Sequence, residues 1–148
     1  MAHISIVTDS SARFPAHSIV HEYPLTFASL QIQCGSTTIE DGNHVDMSAH
    51  HSTIEECQSV PKIEAFSIDQ MAEIYAQLQS ESDHILSIHT SAGLCDAVAN
   101  AQAASQRFLG KTKIQVIDSQ SVSYGLGLLI QAVVKAAKQG ADFDSLIR

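Results

Sequence analysis

Ile4-Ser5-Ile6-Val7-Thr8-Asp9-Ser10-Ser11 places a short apolar, β-branched run directly before a cluster of carboxylate and hydroxyl side chains. The same passage recurs as Ile85-Leu86-Ser87-Ile88-His89 into Thr90-Ser91-Ala92-Gly93, and as Ile114-Gln115-Val116-Ile117 into Asp118-Ser119-Gln120-Ser121. A helical pattern follows each. Strand, polar turn and helix in repetition is how an α/β fold with an open, mainly parallel sheet and flanking helices is written. Ligands of such sheets bind outside the carboxyl ends of the strands, so the three clusters are expected along one functional edge.

The chain has 148 residues, the size of one domain able to bury roughly two thirds of its unfolded surface. Hydrophobic residues make up 45% of it, which favours an ordered unit over a linker. No apolar stretch approaches the ~20 residues of a membrane helix, and Met1-Ala2-His3 leads into a strand without a signal-peptide pattern. A soluble, cytoplasmic protein is expected. A net charge of -8 has the wrong sign for a phosphate backbone, which argues against nucleic acid.

Cys34, Cys57 and Cys95 form an odd, widely spaced set without a C-x-x-C pair, so reduced thiols are expected. His44, Asp46, His50 and His51 have metal-ligand chemistry, but adjacent histidines point to different sides of a helix or strand, and solvated surface is the simpler reading. No metal and no cofactor is expected. His89 ends a strand at the functional edge, where a histidine is more often held by a neighbouring carbonyl than used in catalysis.

Further elements follow from pattern. Pro15 to His21 reads as a helical turn, Pro24 to Ile32 as a second strand, and Cys34 to Glu40 as a ribbon turning at Gly35-Ser36. Asp41-Gly42-Asn43 marks a turn, and Asp46-Met47-Ser48 a cap for a helix over 49–57. Ser67 and Gln70 have capping-box spacing, and Met71, Ile74, Tyr75 and Leu78 then form a core-facing stripe. Helices are expected over 93–109 and 122–138, the second closed by Gln139-Gly140, with another beginning near Asp142.

A helix N-terminus carries about half a positive charge and free N–H groups, a seat for a carboxylate or phosphate. Thr90-Ser91-Ala92-Gly93 fits that description best, since hydroxyls add donors and glycine lets backbone approach a ligand. Plain helix capping explains the same residues. Asp9 and Asp118, both at strand ends, would allow a coupled carboxylate pair, but no nucleophile elbow or phosphate-binding glycine loop accompanies them. Tyr124-Gly125-Leu126-Gly127 falls inside a helical pattern, where its glycines permit close packing.

Val7-Thr8-Asp9-Ser10-Ser11-Ala12 with Pro15, and Val116-Ile117-Asp118-Ser119-Gln120-Ser121-Val122-Ser123-Tyr124-Gly125-Leu126-Gly127, resemble the opening segment and the Ile-Asp-Ser-x-Ser stretch of the DegV family. Pro24-Leu25, Asp41-Gly42 and Asp46-Met47-Ser48 fall where that family has similar residues, so the likeness runs from end to end. The resemblance implies that residues 1–148 form a single N-terminal α/β domain of DegV type, without the second domain the family usually has. It further implies a non-enzymatic protein that binds long-chain fatty acid and presents it to a kinase partner. The exposed cleft would favour a homodimer.

On that resemblance the lipid site comprises Ser91, Gly93 and the Cys95 N–H at the head group, with Thr90 beside them and Ser10, Asp118 and Ser119 ordering the adjoining turns. The family's Thr-Ser-Gln-Pro-Ser is here Ile63-Glu64-Ala65-Phe66-Ser67, and its Ser-Gly-Thr-Tyr is Cys95-Asp96-Ala97-Val98. Those substitutions leave two alternatives open: an interaction module that binds no lipid, and a small enzyme or metal protein built on His89, Asp9 and Asp118.

Overall fold

The computed structural model describes residues 3–14, 23–41 and 47–148. Its strands and helices, in chain order, are β1 (Ile4–Asp9), β2 (Leu25–Ala28), β3 (Leu30–Cys34), β4 (Thr37–Asp41), α1 (Met47–Glu55), β5 (Lys62–Glu64), α2 (Ile68–Gln79), β6 (His84–His89), α3 (Ala97–Ser105), β7 (Lys113–Asp118), α4 (Tyr124–Lys138) and α5 (Phe143–Leu146). A 3-10 turn, Gln106–Phe108, prolongs α3.

The three quoted runs are β1, β6 and β7. They pair in parallel, and with β2 they make a four-stranded sheet ordered β2-β1-β6-β7. Successive side chains on a strand face opposite sides, so β1 and β6 supply two cores. Val7 and Ile85 pack with Met71, Ala72 and Tyr75 of α2 and the alanines of α3. Ile6, Leu86 and Ile88 pack with Leu126, Ile130 and Val134 of α4, and with Phe143 and Leu146 of α5. Helices therefore cover both faces, and the polar strand ends emerge together.

The run from Pro24 to Ile32 does not form one strand. It breaks at exposed Ser29 into β2, in the parallel sheet, and β3, in a separate antiparallel sheet ordered β4-β3-β5. Ser10 makes the break: its N–H donates to the Ala28 carbonyl (3.0 Å) and its hydroxyl accepts from the Leu30 N–H (2.9 Å). The β3–β4 ribbon turns at Gly35-Ser36 as expected, with Gly35 at φ 62°.

Three helix starts differ from the sequence expectation, the first being α1, which begins at Met47 and not at 49, so that Met47 and Ser48 lie within the helix. The helix placed from Gly93 begins at Ala97, because Ser91 takes the Gly93 N–H on its hydroxyl and the Leu94 N–H on its carbonyl. These local bonds hold a turn where a helix would otherwise propagate. The helix placed from Val122 begins at Tyr124, after Gln120 (φ 51°) and Ser123 (φ 57°) in the left-handed region. The capping box of α2 forms as read, Ser67 with Gln70.

Cys34 and Cys57 are joined as a disulfide, with Cα atoms 5.7 Å apart, within the ordinary span. This corrects the expectation of reduced thiols: a separation of 23 residues carries no pairing signal, and the fold brings the end of β3 to the segment after α1. Cys95 alone is free. The helical turn over 15–21, Gly42-Asn43 and Asp46 lie outside the described residues.

Candidate functional site

Asp9, His89 and Asp118 end three neighbouring strands, with His89 directly opposite Asp118 in the β6–β7 register. Asp9 is fully buried and accepts four hydrogen bonds: from the Ser11 hydroxyl (2.6 Å) and N–H (3.2 Å) on one oxygen, and from the Thr90 N–H (2.7 Å) and His89 Nδ1 (3.3 Å) on the other. Burial on its own would raise this carboxyl, but the bonds from His89, Ser11 and Thr90 outweigh it and hold the pKa below its ordinary value.

Behind His89 the polar chain continues into the core. Its Nε2 lies 2.7 Å from the Ser87 hydroxyl, which accepts from the Tyr75 hydroxyl at 2.8 Å. Tyr75, Ser87 and His89 are all fully buried. The donors order in one direction: Tyr75 gives to Ser87, Ser87 to Nε2, and Nδ1–H to Asp9. That assigns a neutral His89, since a second ring proton would leave the Ser87 hydrogen without an acceptor. Asp9 therefore keeps its full negative charge. Phe66 closes the other side of the imidazole, ring centroids 5.2 Å apart.

Ser87, His89 and Asp9 stand in the order of a hydrolase triad, yet Ser87 lies sealed beneath α2 at the far side of the histidine from the strand ends. An acyl group cannot reach it. Nor do Asp9 and Asp118 act as a coupled pair, because each is committed elsewhere: Asp118 accepts the Gln120 N–H (2.8 Å) and the Ala92 N–H (3.3 Å).

The loops after β6 and β7 are stapled to each other. The Ser121 carbonyl accepts from the Ser91 N–H (2.9 Å), the Thr90 hydroxyl and the Ser119 hydroxyl (both 3.2 Å), while the Ser119 N–H donates to the His89 carbonyl (3.0 Å). Thr90, Ser91, Asp118 and Ser119 are thus brought together, with Gly93 exposed at the rim and Cys95 half-buried. Burial raises the Cys95 thiol, and the nearby Asp9 and Asp96 charges raise it further. A neutral thiol results. Asp96 caps α3 without a side-chain hydrogen bond.

Ser10 belongs to a different group. Its hydroxyl donates to Asp41 (3.1 Å), whose other oxygen holds Arg13 Nη2 (3.1 Å), and Arg13 Nη1 reaches the Ser10 carbonyl. Ser10 is buried and braces the β1–β2–β3 junction, apart from the Thr90–Asp96 loop. Tyr75 and Ser87 were not singled out as site residues. The available signal was spacing: Ser87 sits two residues before His89 and so shares its face, within a strand otherwise apolar.

Among the described residues no group of three or more His, Cys, Asp or Glu side chains is placed to hold a metal ion. His44 and Asp46 lie outside them, and His51 is exposed. No helix among the described residues is long and apolar enough to cross a membrane.

The family model described as "Uncharacterised protein, DegV family" matches residues 3–148. A DegV domain-containing protein of Staphylococcus aureus (strain COL) is 30% identical over 151 aligned residues, covering 97% of this chain and 50% of that protein. The chain thus spans about half the length of that curated relative. The fold resembles that of a fatty acid binding DegV family protein from Thermus thermophilus, with a TM-score of 0.85 at 23% identity, over 98% of this chain and 51% of that one. It also resembles the Fatty Acid Kinase (Fak) B3 protein of Streptococcus pneumoniae, solved loaded with linoleic acid, with a TM-score of 0.81 at 22% identity, over 98% and 52% of the two chains.

Proposed function

Since this chain belongs to the DegV family, matching its model over residues 3–148, we propose that it is a non-enzymatic lipid-binding unit that holds a single-chain fatty acid over the strand ends and presents it to a kinase partner. One observation carries this reading: the loop from Thr90 to Asp96, braced by its own hydrogen bonds, places the Ser91 hydroxyl and the Cys95 N–H beside exposed apolar side chains. Ser91 and Gly93 lie at its rim, and the Cys95 N–H precedes the start of α3. Leu94 in the same loop is 52% exposed, and Tyr124 and Leu128 follow on one side of α4 at 59% and 55%. Polar donors at one end and apolar surface at the other suit an amphiphile.

In this reading Ser91, Gly93 and Cys95 meet the head group directly. Thr90, Asp118 and Ser119 hold the loop in position, and Ser10 secures the neighbouring turn at a distance. The chain spans about half the length of its relatives, and in this reading a second domain or a second copy of the chain would cover the apolar side of α4. Cytoplasmic action beside a kinase is part of the proposal, and reducing conditions there would open the Cys34–Cys57 bridge.

Native mass spectrometry after incubation with hexadecanoic acid should give a one-to-one adduct. Ser91→Ala should weaken it roughly tenfold, as loss of one head-group hydrogen bond of about 1.4 kcal/mol requires. Absence of any adduct, together with no heat on titration, would leave an interaction module as the better account.

A further inference from the structure

Apart from Arg13 and His89, both committed to internal partners, the ionisable groups at the strand-end edge are acidic. Asp9 on β1 is charged and buried, Asp118 ends β7, Asp96 stands at the N-cap of α3, and Glu64 ends β5 at the residue that pairs with Gln31 near the start of β3. The Asp9 and Asp96 charges both reach Cys95. His89 contributes no positive charge, because the Tyr75–Ser87–His89–Asp9 order keeps it neutral.

The cations are elsewhere. The sequence has eight Lys and Arg, and all eight fall within the described residues. Arg13 is the one beside the strand ends, and Asp41 and two carbonyls occupy its guanidinium. Lys62 pairs with Gln33, farther along β3 than Glu64. Arg107 follows α3 and pairs with Asp69 (2.8 Å), Lys111 and Lys113 open β7, Lys135 and Lys138 close α4, and Arg148 ends the chain. In a parallel sheet the start of β7 and the end of α4 belong to the opposite edge, whereas the Arg107 guanidinium is taken up by Asp69 in the first turn of α2. Helix N-termini add about half a positive charge each: that of α3, on which the full charge of Asp96 stands, and that of α4, which follows the β7 loop.

Building on the proposed lipid site, we infer that this edge selects an uncharged head group: a protonated fatty acid, or a neutral single-chain lipid such as an alcohol or amide, in preference to a carboxylate. The donors of the Ser91–Cys95 loop serve a neutral oxygen as well as an anionic one. The surrounding Asp9, Asp96, Asp118 and Glu64 penalise only the anion. A fatty acid would then bind better as pH falls toward its own carboxyl pKa, whereas an alcohol would not show that gain.

The test compares dodecanoic acid with dodecanol by calorimetric titration of the whole chain, below their aggregation limits, at pH 8 and pH 5.5. Dodecanol should bind at least tenfold more tightly than dodecanoate at pH 8, and the gap should narrow at pH 5.5. Asp96→Asn removes a charge that makes no side-chain cap bond; it should raise dodecanoate affinity several-fold at pH 8 and leave dodecanol unchanged. Dodecanoate binding more tightly than dodecanol at pH 8, or an Asp96→Asn variant that shifts both equally, overturns the inference while leaving the lipid site standing. Binding of neither probe removes both.

Discussion

Asp9→Ala should destabilise the fold by about 3–5 kcal/mol, because it leaves buried donors without their acceptor at about 1–3 kcal/mol each. The substitution strips the acceptor from the Thr90 N–H, the Ser11 N–H and the His89 Nδ1–H, of which His89 is fully buried and Thr90 2% exposed. Tyr75→Phe, at the other end of the chain of bonds, removes only one donor from Ser87 and should cost about 1–2 kcal/mol. Urea unfolding of the two variants separates these values. The pH dependence carries its own sign. The folded-state pKa of Asp9 is lowered, so its contribution is present above the unfolded carboxyl pKa, near 3.9, and is lost as pH falls through the folded value. The stability gap between wild type and Asp9→Ala should therefore narrow on acidification. A gap independent of pH would mean that Asp9 is not held as a charge.

Gly127→Ala should cost about 3 kcal/mol, at the upper end for overpacking of a filled core. A Cβ at this position would overlap the carbonyl of Arg13, which is backbone and cannot rotate aside. The same stretch is tied to α4 from the other direction, since the Arg13 N–H donates to the Ser123 carbonyl (3.1 Å) and the Gly127 N–H to the same oxygen (2.9 Å). Gly125 provides the control. Its added Cβ would meet the Ser121 hydroxyl, the free end of a side chain, and alanine gains about 1 kcal/mol of helix propensity over glycine. Gly125→Ala should thus be near neutral in thermal or urea unfolding. Equal costs for the two substitutions would contradict the contact between α4 and the strand-end segment.

How much of this was legible in the sequence depends on whether the signal was local. The strand ends at Asp9, His89 and Asp118 could be read because a short apolar run before a polar turn specifies a buried parallel strand without reference to any partner. The Ser67–Gln70 capping box and the close packing of Gly127 are likewise written within a few residues. The Tyr75–Ser87–His89–Asp9 chain was not legible, because it depends on register across β1 and β6 and on α2 lying over them. The sequence reading has His89 held by a neighbouring carbonyl, whereas a carboxylate and a hydroxyl hold it. The break at Ser29 and the delayed start of α3 escaped for a shared reason: in both, a serine bonding to nearby backbone, Ser10 or Ser91, overrides the regular pattern. Cys34 and Cys57 needed the fold to meet.

The central claim is that a lipid head group sits in the loop from Ser91 to Asp96. Backbone amide NMR during titration with dodecanol or dodecanoic acid tests it most directly. The account predicts the largest saturable shifts at Ser91, Gly93, Leu94, Cys95 and Asp96 and in the first turn of α3. Shifts confined to the opposite edge, where His3, Tyr23, His84, Lys113 and Phe143 line a cavity of about 430 Å³, would contradict it.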